Sequence, residues 1–287
     1  MKELIVDALK IIAPLAVALI VFTQALNIAP SQVAVYFREQ TALMLRALLA
    51  MLVLVPAAAL ALILLLGPPP GLAIALAILV SCPPAPLMLK AAVKKGGGSA
   101  AFMASLHLMF AVLAFVTVPA VLYLMSIPLG FNADIDLAAM AWILARTILL
   151  PVGLGLVVRS LFPAFADEAG PVLGLAGTIG LLLVVVAALA ALYPVLLNTD
   201  VRSYLVIAAV SVAALAIGHF LGPSDPGEKT ALAVECGVRH PVLALAIAGA
   251  NFSPQNALPI LVPCIVTFIV IAMIYMSRRG KARGTTD

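Results

Sequence analysis

Two short stretches place chemically active groups inside runs that are otherwise almost wholly apolar. The first reads Ser81-Cys82-Pro83-Pro84-Ala85-Pro86-Leu87-Met88-Leu89-Lys90, and the second Val234-Glu235-Cys236-Gly237-Val238-Arg239-His240-Pro241. A guanidinium held near a carboxylate reads anions bidentately, and a carboxylate beside free carbonyls suits a hard cation. Arg239 and Lys90 therefore suggest an anionic ligand, and Glu235 a cation. Glu235 and Arg239 are four apart, the spacing at which helical side chains meet, but Gly237 falls between them. His240, and His107 with Ser105 in an adjoining apolar stretch, read most plainly as interior residues. The two histidines could also carry a proton near neutral pH. Cys82 is readable as a small apolar residue or as a soft thiolate donor.

Other catalytic constellations are missing. There is no Asp pair for magnesium pyrophosphate, no His-Glu-x-x-His and no Gly-x-Ser-x-Gly, so no enzyme is expected and no cofactor is implied. Cys82, Cys236 and Cys264 form no metal-spaced cluster, and their odd number argues against a disulfide framework. The net charge of +4, with no basic run interleaved with aromatics, gives no footprint for nucleic acid.

The elements that must position these residues follow from composition. The chain has 287 residues, 65% of them hydrophobic and 10% charged. A water-soluble globule has too little surface to carry so much apolar side chain. Long Leu/Ala/Val runs favour helices over a transmembrane barrel. Apolar stretches fall near 8–28, 41–66, 71–95, 99–126, 137–162, 170–197, 203–222, 229–250 and 257–277, which predicts an all-α polytopic membrane protein of nine spans. A short amphipathic piece is expected at 31–40. If the C-terminus is cytoplasmic, Arg38, Arg46, Lys94, Lys95, Arg159, Lys229, Arg278, Arg279, Lys281 and Arg283 lie inside and only Lys2 and Arg202 outside. That asymmetry puts the N-terminus outside. The expected location is a bacterial cytoplasmic (inner) membrane. Lys10, Lys90, Arg146 and Arg239 remain within apolar segments, where a charge costs roughly 2.5–3.5 kcal/mol. Lys90 and Lys10 can snorkel to a span end; Arg239 is harder to place that way.

Three prolines in four positions cannot continue a helix, and Gly237 and Pro241 interrupt the second stretch. Counted from the span ends, Pro83–Pro86 lie about 18–23 Å into the membrane from one side, and Gly237–Pro241 about 12–18 Å from the other. Unwound backbone survives there only when buried in protein or lining a cavity. Two interrupted helices in corresponding positions of two halves point to a secondary-transporter site. Residues 1–126 would form one half of an inverted repeat and 137–277 the other, in a single transmembrane unit spanning 1–287 with a basic tail at 278–287. Pro86 and Pro241 suit the first position of the second half-helices, where the missing N–H costs nothing.

Ser81-Cys82-Pro83 and Glu235-Cys236-Gly237, with Ala244 to Ala250, Asn251-Phe252 and Ala257-Leu258-Pro259 downstream, resemble the bile acid:sodium symporter family. The resemblance implies two crossed discontinuous helices in a core domain (segments two, three, four, seven, eight and nine). A panel domain of segments one, five and six would move against it. In that family a Glu, a Gln-Asn pair, a Ser-Asn pair and hydroxyls on the next helix hold two sodium ions. Glu235 is kept. Arg239-His240 stand at the Gln-Asn positions, Met88-Leu89 at Ser-Asn, and Ser105-Leu106-His107-Leu108-Met109 in the hydroxyl-rich stretch. Leu and Met cannot ligate a hard cation, so sodium is retained as an open question at Glu235 alone. One carboxylate with two sodium ions sums to +1, as do Glu235, Arg239 and Lys90 together. Arg239 and Lys90 are therefore candidates for built-in cations, in a site comprising Glu235, Arg239, His240, Lys90, Cys82, Pro83, Pro86, Gly237, Ser105 and His107.

The expected function is secondary active transport of a small organic anion by alternating access, with sodium coupling in question. The alternatives are an arsenite-type exporter of the same superfamily, for which Cys82 and Glu235 fit loosely, an intramembrane enzyme and a passive anion channel. Membrane lipid is the other expected partner, and the oligomeric state is open.

Overall fold

The structure, a computed structural model, describes residues 2–27, 38–85, 100–131, 136–251 and 254–283. The amphipathic piece expected at 31–40 falls mostly outside them, as do Pro86 and Lys90; Lys10 lies in a described helix but its side chain does not. Apart from one isolated backbone bridge, the described residues form helices and their connections.

In chain order these are α1 (Lys2–Leu26), α2 (Thr41–Leu48, a π segment Leu49–Leu54, then Val55–Leu66), α3 (Pro70–Ser81) and α4 (Ala100–Leu129). Next come α5 (Leu137–Leu144, a π segment Ala145–Leu149, then Leu150–Leu161), α6 (Pro163–Asn198) and α7 (Val201–Leu221). The last are α8 (Pro226–Gly237), α9 (Pro241–Asn251) and α10 (Pro254–Arg283). Six spans within α2, α4, α5, α6, α7 and α10 are long and apolar enough to cross a membrane, and α3, α9 and Ile12–Leu26 of α1 are shorter apolar helices.

Local chemistry sets the ends. Helices α3, α6, α8, α9 and α10 each begin on a proline, which fixes φ where no donor is needed. Asp136, Asp200 and Asp225 cap α5, α7 and α8 by accepting from backbone N–H groups. Gly67 ends α2 in the left-handed region at φ 55°, open to glycine without a Cβ penalty. The two π segments each precede a proline, Pro56 and Pro151. Such a residue removes one i→i−4 bond, and the preceding turn widens to absorb the loss. Elsewhere prolines are carried within helices, so α6 runs through Pro171 and starts seven residues before the expected 170.

α1 lies against α5 and α6, while α3 with α10, α7 with α8, and α7 with α2 and α10 pack against one another. Glycine allows the closest approaches: a Cβ on Gly155 of α5 would meet the backbone of α1 at 2.6 Å, and one on Gly218 of α7 would meet the Leu232 carbonyl of α8 at 2.6 Å.

Candidate functional site

Helix α3 stops where its prolines begin. Pro83 and Pro84 have no N–H to donate to the last turn, so the Cys82 N–H bonds to the Leu79 carbonyl at 3.2 Å and Cys82 turns extended. Helix α8 stops at Gly237; Val238 is extended, and Pro241 opens α9. The exposed backbone of each break is satisfied by the other. Pro84 and Arg239 form an antiparallel bridge: the Ala85 N–H donates to the Val238 carbonyl at 3.1 Å and the His240 N–H to the Pro83 carbonyl at 2.9 Å. In surroundings without water this pairing lets both chains unwind.

Gly237 serves by absence of bulk, since a Cβ there would overlap the Leu215 side chain of α7. The break is thus pressed directly onto α7.

Arg239 is 3% exposed. Its Nη1 donates to the Cys82 carbonyl at 3.1 Å and lies 2.9 Å from the Met51 sulfur. The Cys82 carbonyl closes the C-terminal end of α3, where the helix dipole favours a positive charge. The Nε and Nη2 atoms are buried and have no hydrogen-bond partner among the described residues. No Glu235–Arg239 ion pair within 4.0 Å occurs among the described residues. The helix ends between the two, so four-residue spacing no longer puts them on one face. Glu235, 2% exposed, instead has its Oε2 3.6 Å from His107 Nδ1 on α4, and neither atom has a hydrogen-bond partner among the described residues. His240 Nδ1 accepts the Leu243 N–H at 3.2 Å, capping α9, while its Nε2 is buried and unpartnered.

The remaining predicted residues divide. Cys82 is fully buried and takes part through its carbonyl, as does Pro83. Ser105 is buried on α4, but two residues from His107 it is rotated about 200° away. Arg146 is exposed on the π segment of α5. Met51 was not expected: in an apolar run a methionine reads as packing, and only the proline at 56, which widens the turn carrying Met51, marks the place.

Two small cavities lie near the polar residues, one against the first break and one against His107, each about 10 Å³, room for roughly one water. One is lined by Met51, Cys82, Pro83, Phe110 and Arg239. The other lies between α1, α4 and α5, against Ala25, Ala104, His107 and Val152. The Cys82, Pro83 and Val238 carbonyls each accept an N–H group, and no cluster of three or more His, Cys, Asp or Glu side chains occurs among the described residues.

Six long apolar helices and a pair of mutually bonded breaks define a polytopic integral membrane protein with a buried polar centre. The sequence model of the sodium bile acid symporter family matches residues 14–199. The chain belongs to that family of transporters. It is 26% identical over 218 residues to a protein of Oryza sativa subsp. japonica described as "Probable sodium/metabolite cotransporter BASS2, chloroplastic", covering 73% of this chain and 51% of the relative. The chain thus spans about half the length of that relative. The matched stretch contains the first break and stops before the second, which carries Glu235, Arg239 and His240.

Proposed function

We propose that the protein is a secondary active transporter for a small organic anion, working by alternating access, in which Arg239 is a built-in cation in place of a transported one. The observation that carries this reading is the state of the guanidinium. Nη1 is anchored on the Cys82 carbonyl, and the Nε–Nη2 edge is left without partners among the described residues. That edge presents two parallel N–H bonds at the spacing of carboxylate oxygens. Lys90 is the second fixed cation of the proposal. The nine-span inverted repeat, an outside N-terminus and a rocking group of α1, α5 and α6 belong to the same reading. Cavities of one-water size correspond to a closed conformation.

The test is uptake of a panel of radiolabelled mono- and dicarboxylates into proteoliposomes, in sodium and in choline buffer. Saturable uptake of at least one organic anion, retained without sodium, is expected. Strict sodium dependence would overturn the substitution of cations while leaving family membership intact. Unsaturable flux without counterflow would identify a channel.

A further inference from the structure

The end of the molecule that carries Lys229, Arg278 and Arg279 holds a second constellation, distant in sequence from the first break. Between α7 and α10 lies an open groove of about 350 Å³ lined by Val212, Phe220, Ile271 and Ile274, with His219 and Tyr275 in its wall. A second trough of about 380 Å³ is lined by Val270, Met273 and Ser277. Ile274 and Arg278 line both, so one ridge of α10 separates two largely apolar troughs and ends in a guanidinium.

Positive charge gathers over the ridge. Arg278 is exposed. Arg279 and Lys229 are both near enough to act electrostatically on His219, and Arg279 acts on Tyr275. The His219 Nδ1 and Tyr275 hydroxyl are 2.6 Å apart, and Arg279 Nε is buried without a hydrogen-bond partner among the described residues. Among the described residues none of the three cations has a carboxylate within 4.0 Å. The neighbouring acids are Asp225, whose carboxylate caps α8 through the Gly227 and Glu228 N–H groups, and Glu228 beside it.

We propose that this face binds one anionic diacyl phospholipid, with its phosphate on Arg278 and Arg279 and an acyl chain in each trough. Unpaired basic groups select a net negative headgroup. Paired apolar troughs leading away from them suit two hydrocarbon chains, and they would give a free phosphate no added affinity.

The full chain, purified in detergent, is titrated with dioleoylphosphatidylglycerol, dioleoylphosphatidylcholine of the same chains, and glycerol phosphate, reading the melting temperature. Phosphatidylglycerol is expected to raise it saturably, and the other two to leave it unchanged. Exchange of Arg278→Gln with Arg279→Gln should weaken the apparent affinity by about 25-fold, roughly five-fold for each arginine. Ile274→Trp, which blocks the troughs at an exposed position and keeps every charge, should also weaken it. Both variants should keep the wild-type gel-filtration profile and lipid-free melting temperature. Equal shifts from phosphatidylcholine, an equal shift from glycerol phosphate, or undiminished phosphatidylglycerol binding by either folded variant would overturn the proposal.

Discussion

On the proposed function, substituting Arg239 separates two jobs, because anchoring and ligand reading would use different edges of one guanidinium. Arg239→Gln removes a charged hydrogen bond to the Cys82 carbonyl, worth about 1.5–3 kcal/mol. It also relieves the desolvation of a buried cation, a cost of several kcal/mol. The two effects oppose, so the melting temperature should move by only a few degrees. Ligand binding has no such offset. Losing a two-bond contact from the Nε–Nη2 edge should cost about 3 kcal/mol at the low end, more than 100-fold in affinity. Arg239→Lys keeps the charge without the fork and should fall between, near ten-fold. The assay is concentration-dependent uptake in proteoliposomes matched for folded protein by gel filtration. An Arg239→Gln variant that folds and transports with unchanged KM would refute the reasoning, because the guanidinium would then be structural alone.

Other expectations rest on single contacts. Gly237→Ala drives a methyl group into Leu215 and should cost about 1–3 kcal/mol; added Leu215→Ala should recover part of it, read as a double-mutant cycle of melting temperatures. His240→Ala removes the cap on the Leu243 N–H and should cost about 1 kcal/mol, whereas His240→Asn should lose less. At the exposed start of α7, the Ser203 hydroxyl and N–H hold the Asp200 carboxyl below its usual 3.8. The cap is therefore fully formed above that value and is lost as pH falls through the lower folded one. Asp200→Asn should flatten the acid side of the melting-temperature profile, and an unchanged profile would show that the cap carries no pH dependence.

The breaks themselves are legible in the sequence, because proline without an N–H and glycine within an apolar run have few other meanings. Ser81 as the last residue of α3 and Pro241 as the first of α9 follow from that chemistry directly. What joins them is not legible. The Ala85–Val238 and His240–Pro83 bonds are made by backbone atoms, whose identity is the same at every position, so only the depth argument hints that they meet. The same holds for the partner of Glu235. Four-residue spacing nominates Arg239, but the helix end that makes the site also cancels the spacing, and the carboxylate faces His107 from another helix instead. Met51 is invisible for a different reason: its sulfur is a weak acceptor in a residue whose usual role is filling space.

On the proposed function, cavities this small have a mechanical consequence. A carboxylate-bearing anion cannot reach the free edge of Arg239 through spaces of one-water size, so binding requires the groups meeting at those spaces to part. The cavity beside Arg239 is walled by α2, α3 and α4, the one against His107 by α1 and α5 on one side and α4 on the other, and α1 packs chiefly with α5 and α6. Helix α4 walls both, so on the proposed function separation is expected along α4, at the α1–α4 boundary, while the backbone bridge between the breaks stays closed. A cysteine at Ala104, on the α4 wall of that cavity, reports on this, since Cys82, Cys236 and Cys264 are all buried and give little background. Labelling of Ala104→Cys by a membrane-impermeant maleimide should be slow in the resting protein. It should change at least several-fold when a transported anion is added, and the change should vanish in the Arg239→Gln background. Substrate-independent labelling in a variant that still transports would place the moving boundary elsewhere.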